Sequence, residues 1–191
     1  RLWTQLPGGG RDTLADRYRG ARLAMLSGDS GRAFERLPPV TRSPDTELYR
    51  KALALHATLL TTHGPATDAL LARVELDPYL VDRPGEQSAN QRAIWRLLAA
   101  LTPAQTRQFD SLEDPGQISG WIDLFEAVRG AGTDLDAFTQ AVADWDRAHP
   151  RHTAQALLPE LRDALQRPVE SPARVAVLLP LPILLVDPGV S

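Results

Sequence analysis

LAMLSGDSGRAFERL, residues 23–37, and LLTTHGPATDALLAR, residues 59–73, decide how this chain folds. Laid over one another they match Leu23 with Leu59, Gly28 with Gly64 and Ala33 with Ala69, an offset of 36 residues. Each stretch runs an apolar helical stripe into a glycine break, then opens a second helix around a small residue. A helix pair of that kind cannot bury its apolar side alone, so a neighbour of the same build has to cover it. A third unit, GWIDLFEAVRGAGTDLDAFTQAVADWDRAHP (residues 120–150), carries Trp121, Leu124 three residues on, Ala137 and a closing Pro150. A large residue, a leucine, a small residue in the second helix and a terminal proline approximate the tetratricopeptide spacing. The small residue lets the second helix approach the first, and the aromatic fills the space between neighbouring pairs. The fold class expected is all-α, a tetratricopeptide-like solenoid of helical hairpins. A plain helical bundle with Ala and Leu at similar spacing is the alternative.

Outward from these repeats, the helical period continues in Leu14, Tyr18, Ala21 and Met25 and in Leu53, Ala57 and Leu60. Helices are predicted at about 12–27, 30–37, 46–62, 66–76, 88–101, 104–112, 117–129, 134–147 and 153–166. Gly28, Gly64 and Gly130 read as helix ends, Pro38-Pro39 and Pro78 as stops, and Asp134 as a cap. In EQSANQRAIWRLLAALTPAQ (86–105), Ser88 is the expected cap, and Thr102-Pro103 closes one helix and opens the next. Ile94, Leu97, Leu98 and Leu101 form its apolar stripe, with Trp95 expected in the core beside them.

Composition narrows the function classes. The 191 residues are 43% hydrophobic and 24% charged, ordinary for a soluble globular chain long enough to bury a core. A net charge of −3 with no basic cluster argues against a nucleic-acid partner. Lys51 is the only lysine among mostly arginine cations, a bias that fits a GC-rich genome. Without cysteine, neither disulfides nor thiolate chemistry is available. The sequence opens on Arg1 and not Met, so it is expected to be processed or trimmed, with any targeting segment upstream.

Four motifs invite a chemical reading and lose it on context. GDSG at 28–31 imitates the surroundings of a protease serine, but between two helices Asp29 or Ser30 serves better as a cap. GGG at 8–10 lacks the Gly-Lys-Ser/Thr of a phosphate loop and reads as a turn. His149 and His152, with Asp144 and Asp146 upstream, have a metal-like spacing, but Pro150 breaks the helix between them; surface histidines are expected, and no metal or cofactor. Glu113-Asp114 sits in a Pro-Gly turn where solvation suffices. No constellation for acid–base or nucleophilic catalysis emerges, and the chain reads as non-enzymatic.

The tail changes character. After Pro168 and Pro172, ARVAVLLPLPILLVDPGVS abandons the helical period for a continuous apolar run, too short to span a bilayer. Arg174 to Leu179 reads as a buried parallel strand. The domain division expected is 1–168 helical and 169–191 a linker with one apolar strand.

RVELDPYL (73–80), ANQRAIWRLLAAL (89–101), GWIDLFEAVR (120–129), Trp145 with His149-Pro150, and RVAVLLPL (174–181) occur in that order. The series resembles the outer-membrane lipoprotein activators of class A penicillin-binding proteins, over roughly residues 12–180. The resemblance implies a tetratricopeptide-like domain followed by a domain of periplasmic-binding-protein fold that starts at RVAVLLPL. It also implies a lipid anchor upstream, a position at the periplasmic face of the outer membrane of a Gram-negative bacterium, and stimulation of a peptidoglycan synthase. Contact with that synthase is attributed in the family chiefly to the second domain, so the helical part is expected as an adaptor or spacer, with peptidoglycan as a further candidate partner. PILLVDPGVS after Leu181 departs from the Ser-Gly continuation of the family, which marks either a junction or residues joined across an omitted domain. Two other readings stand beside this one: the helical superstructure of a lytic transglycosylase, and a cytoplasmic tetratricopeptide chaperone adaptor.

In tetratricopeptide-like stacks the first helices of successive hairpins line the concave face. Extending the alignment puts Arg22, Thr58, Glu126 and Arg129 there. A packing role does not require polar residues at these positions, so they are the candidate contacts for an envelope protein or peptide, with a solvated face as the plainer alternative.

Overall fold

The computed structural model describes residues 13–112 and 116–166. Among them the chain is all-α: α1 Leu14–Leu26, α2 Ser30–Arg36, α3 Thr46–His63, α4 Ala66–Leu76, α5 Pro84–Ala100, α6 Pro103–Thr106, α7 Gly116–Ala131, α8 Leu135–Ala148 and α9 Leu158–Gln166. Short 3-10 turns occupy Asp77–Leu80, Arg107–Ser111 and Thr153–Leu157. The expected tail strand at Arg174–Leu179, the 169–191 segment, GGG at 8–10 and Glu113-Asp114 lie outside the described residues.

Side-chain caps account for most helix starts. Asp29 accepts the Arg32 N–H at 2.9 Å, Asp45 the Leu48 N–H at 2.9 Å, and Asp134 the N–H groups of Asp136 and Ala137 at 2.9 and 3.0 Å. Thr102 and Gln105 exchange the reciprocal bonds of a capping box at α6. These bonds satisfy N–H groups that the first helical turn cannot pair internally.

Several boundaries correct the sequence reading. α5 begins at Pro84, not at a Ser88 cap: Pro84 at the first helical position has φ preset and no N–H to leave unpaired. α7 runs through Gly130 and ends at Ala131, and the left-handed residue that follows is Gly132 at φ 59°. α4 ends at Leu76, ahead of Pro78 as expected, and Pro78 then sits in the first turn of a 3-10 helix that follows directly. The expected 104–112 helix divides into α6 and a 3-10 turn that buries Phe109.

Packing follows the hairpin plan. α1 packs chiefly on α2, α3 on α4 and α7 on α8, and α4 then packs on α5. Three apolar cores lie in series. The first is Ala21, Ala24, Ala33, Leu37 and Leu59; the second runs from Tyr49, Leu53 and Ala57 to Leu76 and Leu80. The third gathers Leu70, Val74, Ile94, Phe109, Trp121 and Phe138 with seven further buried residues. Each core borrows from the next element: α3 supplies both the first and second, α4 the second and third. Serial sharing is what helix pairs that cannot stand alone require.

The repeats agree in burial at Ala33 and Ala69 and at Ala24 and Leu60, and part company at other matched positions. Ala33 and Ala69 are both fully buried where second helices approach first ones. Leu23, matched in sequence to the buried Leu59, is 68% exposed, because no preceding hairpin covers α1 among the described residues. Gly28 takes φ 80° while Gly64 is extended at φ −108°, so the two breaks turn the chain differently. In the third unit Phe138, not Ala137, fills the interhelical space.

Candidate functional site

The polar groups most firmly placed by this fold form a joint between distant segments. Asp77 is completely buried at the end of α4. Its carboxylate accepts from the Asn90 and Gln91 side-chain amides, each at 3.1 Å. Asn90 Nδ2 also donates to the Arg73 carbonyl at 2.9 Å, and Gln91 Nε2 to the Thr153 carbonyl at 2.9 Å. One carboxylate and two amides thus tie α4, α5 and the turn after α8. Bonded on all sides, they hold structure.

A second cluster lies against it. Trp145 Nε1–H donates to the Gly120 carbonyl at 2.7 Å. His152 is buried, with its Nδ1 accepting the Ala154 N–H at 3.1 Å and its Nε2 donating to the Gln117 carbonyl at 2.8 Å. Those bonds fix the neutral tautomer, and burial pushes the pKa below the usual histidine value, aided by neighbouring His149 and opposed by the Gln117 carbonyl. The expectation of surface histidines is therefore corrected for His152, whose ring plugs the space over Gly120; a Cβ there would come within 2.5 Å of it. His149 is half-buried and bonds Asp123 at 2.7 Å. Among the described residues no group of three or more His, Asp or Glu could hold a metal ion.

The tryptophans separate. Trp121 is fully buried, whereas Trp95, expected in the core, is half-buried with its edge on Phe125 at 5.1 Å. Its other side opens, with Arg92, Arg96 and Leu161, on a groove of about 600 Å³ between α5 and α9. α9 is a short helix that leaves that side of α5 incompletely covered.

The four candidate contacts are all exposed, but the fold does not gather them into one site. Glu126 and Arg129 border a groove of about 330 Å³ between α7 and the α5–α6 corner, where Arg129 also lies over the Phe125 ring at 5.8 Å. Arg22 on α1 and Thr58 on α3 do not line that groove. Thr58 spends its hydroxyl on the Ala54 carbonyl at 2.9 Å. Ser30 of the GDSG stretch lies 2.9 Å from His63 Nε2, at an exposed helix start, and no carboxylate is bonded to His63 among the described residues. That pair lacks the third member that orients a catalytic histidine.

Sequence reading missed Asp77 and its amide partners as a unit. Their only signal was that RVELDPYL and ANQRAIW, the same stretches that carry the family resemblance, place one buried acid and two amides on apolar faces.

Comparison with known proteins accords with that resemblance. The family model described as "LppC putative lipoprotein" matches residues 36–183. A penicillin-binding protein activator LpoA from Edwardsiella piscicida is 31% identical over 127 residues, 65% of this chain and 18% of the relative. The LpoA of Photobacterium profundum is 30% identical over 139 residues, 72% of this chain and 22% of the relative. That of Pectobacterium parmentieri is 26% identical over 134 residues, 69% of this chain and 20% of the relative. The chain spans about a fifth of the length of these curated relatives. No solved structure matches it. The matched span contains the Asp77 joint, the Gly120–Trp145 bond and the buried His152, and the chain belongs to the LppC lipoprotein family.

Proposed function

We propose that this chain is a non-catalytic helical adaptor and spacer within an outer-membrane lipoprotein that activates a class A penicillin-binding protein during peptidoglycan synthesis. It would work on the periplasmic face of that membrane, with residues 169–191 leading toward a second domain that makes the main contact with the synthase. The observation that carries the reading is the family match across residues 36–183, whose named relatives are penicillin-binding protein activators. The hairpin series supports a spacer, because helix pairs sharing cores in sequence extend a chain without requiring a closed globule. Arg22, Thr58, Glu126 and Arg129 are the proposed contacts with envelope partners.

The test adds this chain to a purified class A synthase and, separately, to peptidoglycan, and measures association and glycan polymerisation. Weak binding to either partner, lost on Arg22→Glu with Arg129→Glu while the helical signal persists, is the expected result. If the chain binds neither and the longer protein activates without it, the contact role falls and only the spacer is left. Solution scattering then judges the spacer: a compact chain of this length has a radius of gyration near ~16 Å, and an extended stack must exceed it.

A further inference from the structure

A groove of about 460 Å³ runs between the end of α2, the loop after it, α3 and α4. This lies within the range of clefts that hold ligands, roughly 300–1,000 Å³. Phe34, Leu53, Leu60 and Leu71 supply its apolar walls. Every ionised side chain on its rim is acidic: Glu35, Asp68 and Glu75, all exposed, with no Lys or Arg among the lining residues.

These carboxylates differ from others on the molecule. Glu47 and Glu86 close on the buried Arg50 at 2.9 Å, and Asp144 pairs with Arg147 at 2.7 Å. Among the described residues Glu35, Asp68 and Glu75 enter no salt bridge; Glu75 accepts the Tyr49 hydroxyl, and Asp68 accepts a long 3.4 Å bond from Thr67. Arg42 lines the adjoining groove together with Leu71 and Glu75 but forms no ion pair with any of the three acids. The charge on this rim is uncompensated within the described residues.

His56 adds an acceptor to the lining of the groove. His56 is only 6% exposed, and its Nδ1 bonds the Leu37 carbonyl at 3.0 Å. A carbonyl can only accept, so Nδ1 carries the proton. Burial keeps the ring's pKa below the usual value against the pull of the Leu37 carbonyl, Asp68 and Glu75. The ring is therefore neutral near pH 7, and its Nε2 lone pair has no hydrogen-bond partner among the described residues. A cleft with a lone-pair acceptor in its wall, three carboxylates above it and aliphatic sides asks for several N–H donors on a long apolar stem. A guanidinium supplies five donors in a planar fork, more than the compact ammonium of lysine offers.

We propose that this groove between α2, α3 and α4 is a docking site for a protein segment that presents an arginine flanked by apolar residues. The proposal stands on the groove itself and does not depend on which enzyme the lipoprotein serves.

The probe is a display library of random short peptides selected on the full chain. Enriched peptides should carry arginine next to aliphatic residues, and their binding should weaken with added salt. Combining Glu35→Gln, Asp68→Asn and Glu75→Gln should reduce the affinity of an enriched peptide by about tenfold or more. The change Asp144→Asn on α8, away from this groove, should leave it unaltered. Replacing the peptide's arginine with citrulline removes the charge without touching the protein, and must reproduce the loss even if the triple variant folds poorly. Absence of enrichment, enrichment without basic residues, or indifference to citrulline would each overturn the proposal.

Discussion

The two outer hairpins, α1/α2 and α7/α8, follow one plan and are filled differently. The first is closed by Ala21, Ala24, Ala33 and Leu37, with Leu59 reaching in from α3. The second is closed by Trp121, Leu124, Phe138, Val142 and Trp145, joined to α4 and α5. Small residues let helices approach but bury little apolar area, whereas aromatic side chains bury about 150–250 Å² each. The hairpin plan therefore fixes topology, and the filling decides where stability resides. The Asp77 and His152 bonds lie in or beside the heavily filled region, where a displaced ring or amide has no water to turn to.

Trp121→Ala breaks that region most severely. Loss of a fully buried tryptophan should cost about 3–5 kcal/mol and lower the unfolding midpoint steeply. Trp95→Ala, with one side of its ring already open to the α5–α9 groove, should cost clearly less. Denaturant unfolding of both variants checks the contrast, and equal losses would mean that the groove beside Trp95 is closed in solution.

Asp77→Ala comes next. The Asn90 and Gln91 amides each keep one carbonyl partner and lose the other, in a site where water cannot replace it. At about 1–3 kcal/mol for each of the two amides that lose an acceptor, the change should cost about 2–6 kcal/mol. Asp77→Asn retains a carbonyl acceptor and should cost less. A neutral Asp77→Ala would show that the joint does not hold α5 to the turn after α8.

What the chain betrayed of all this depends on the range of the interaction. Caps at Asp29, Thr102 and Asp134 were legible because each bond spans two or three residues. The all-α class was legible from period, and Ala33 and Ala69 from the repeat. The joint was not, because Gln91 meets Thr153 across 62 residues and nothing local marks either as a partner. Trp95 and Trp121 sit on similar apolar stripes, and only the position of α9 makes one half-open. The sequence put Arg22, Thr58, Glu126 and Arg129 on one concave face, whereas the fold sets Glu126 and Arg129 beside a groove that Arg22 and Thr58 do not line. The acidic groove escaped entirely, since its three carboxylates come from α2 and α4 and its histidine from α3.

A milder lever tests both regions at once. His56 belongs to the α2–α4 side and His152 to the α7–α8 side, and burial depresses both below the usual 6.5. Each binds a proton more weakly folded than unfolded. As pH falls through 6.5 the unfolded chain takes up protons first, so their contribution is complete above that value and lost below it, until the folded rings also protonate. Melting followed from about pH 7.5 to 5 should show a modest fall. Ring titrations by nuclear magnetic resonance should place both midpoints under 6.5, and a midpoint above it for either ring would contradict its burial.

The smallest effect is the most telling about the repeat. Leu23 aligns with Leu59, yet one is 68% exposed and the other 1%. If the two positions were energetically equivalent, truncating Leu23 would resemble other buried leucine losses, about 2–5 kcal/mol. On α1 there is no earlier hairpin among the described residues for Leu23 to meet, and Leu26 beside it is 77% exposed as well. Leu23→Ala should therefore stay within about 0.5 kcal/mol of neutral, the range of ordinary surface changes. Chemical denaturation of the full chain measures it directly. A loss near the core value would place a cover over α1, and the lightly filled end would then be as closed as the aromatic one.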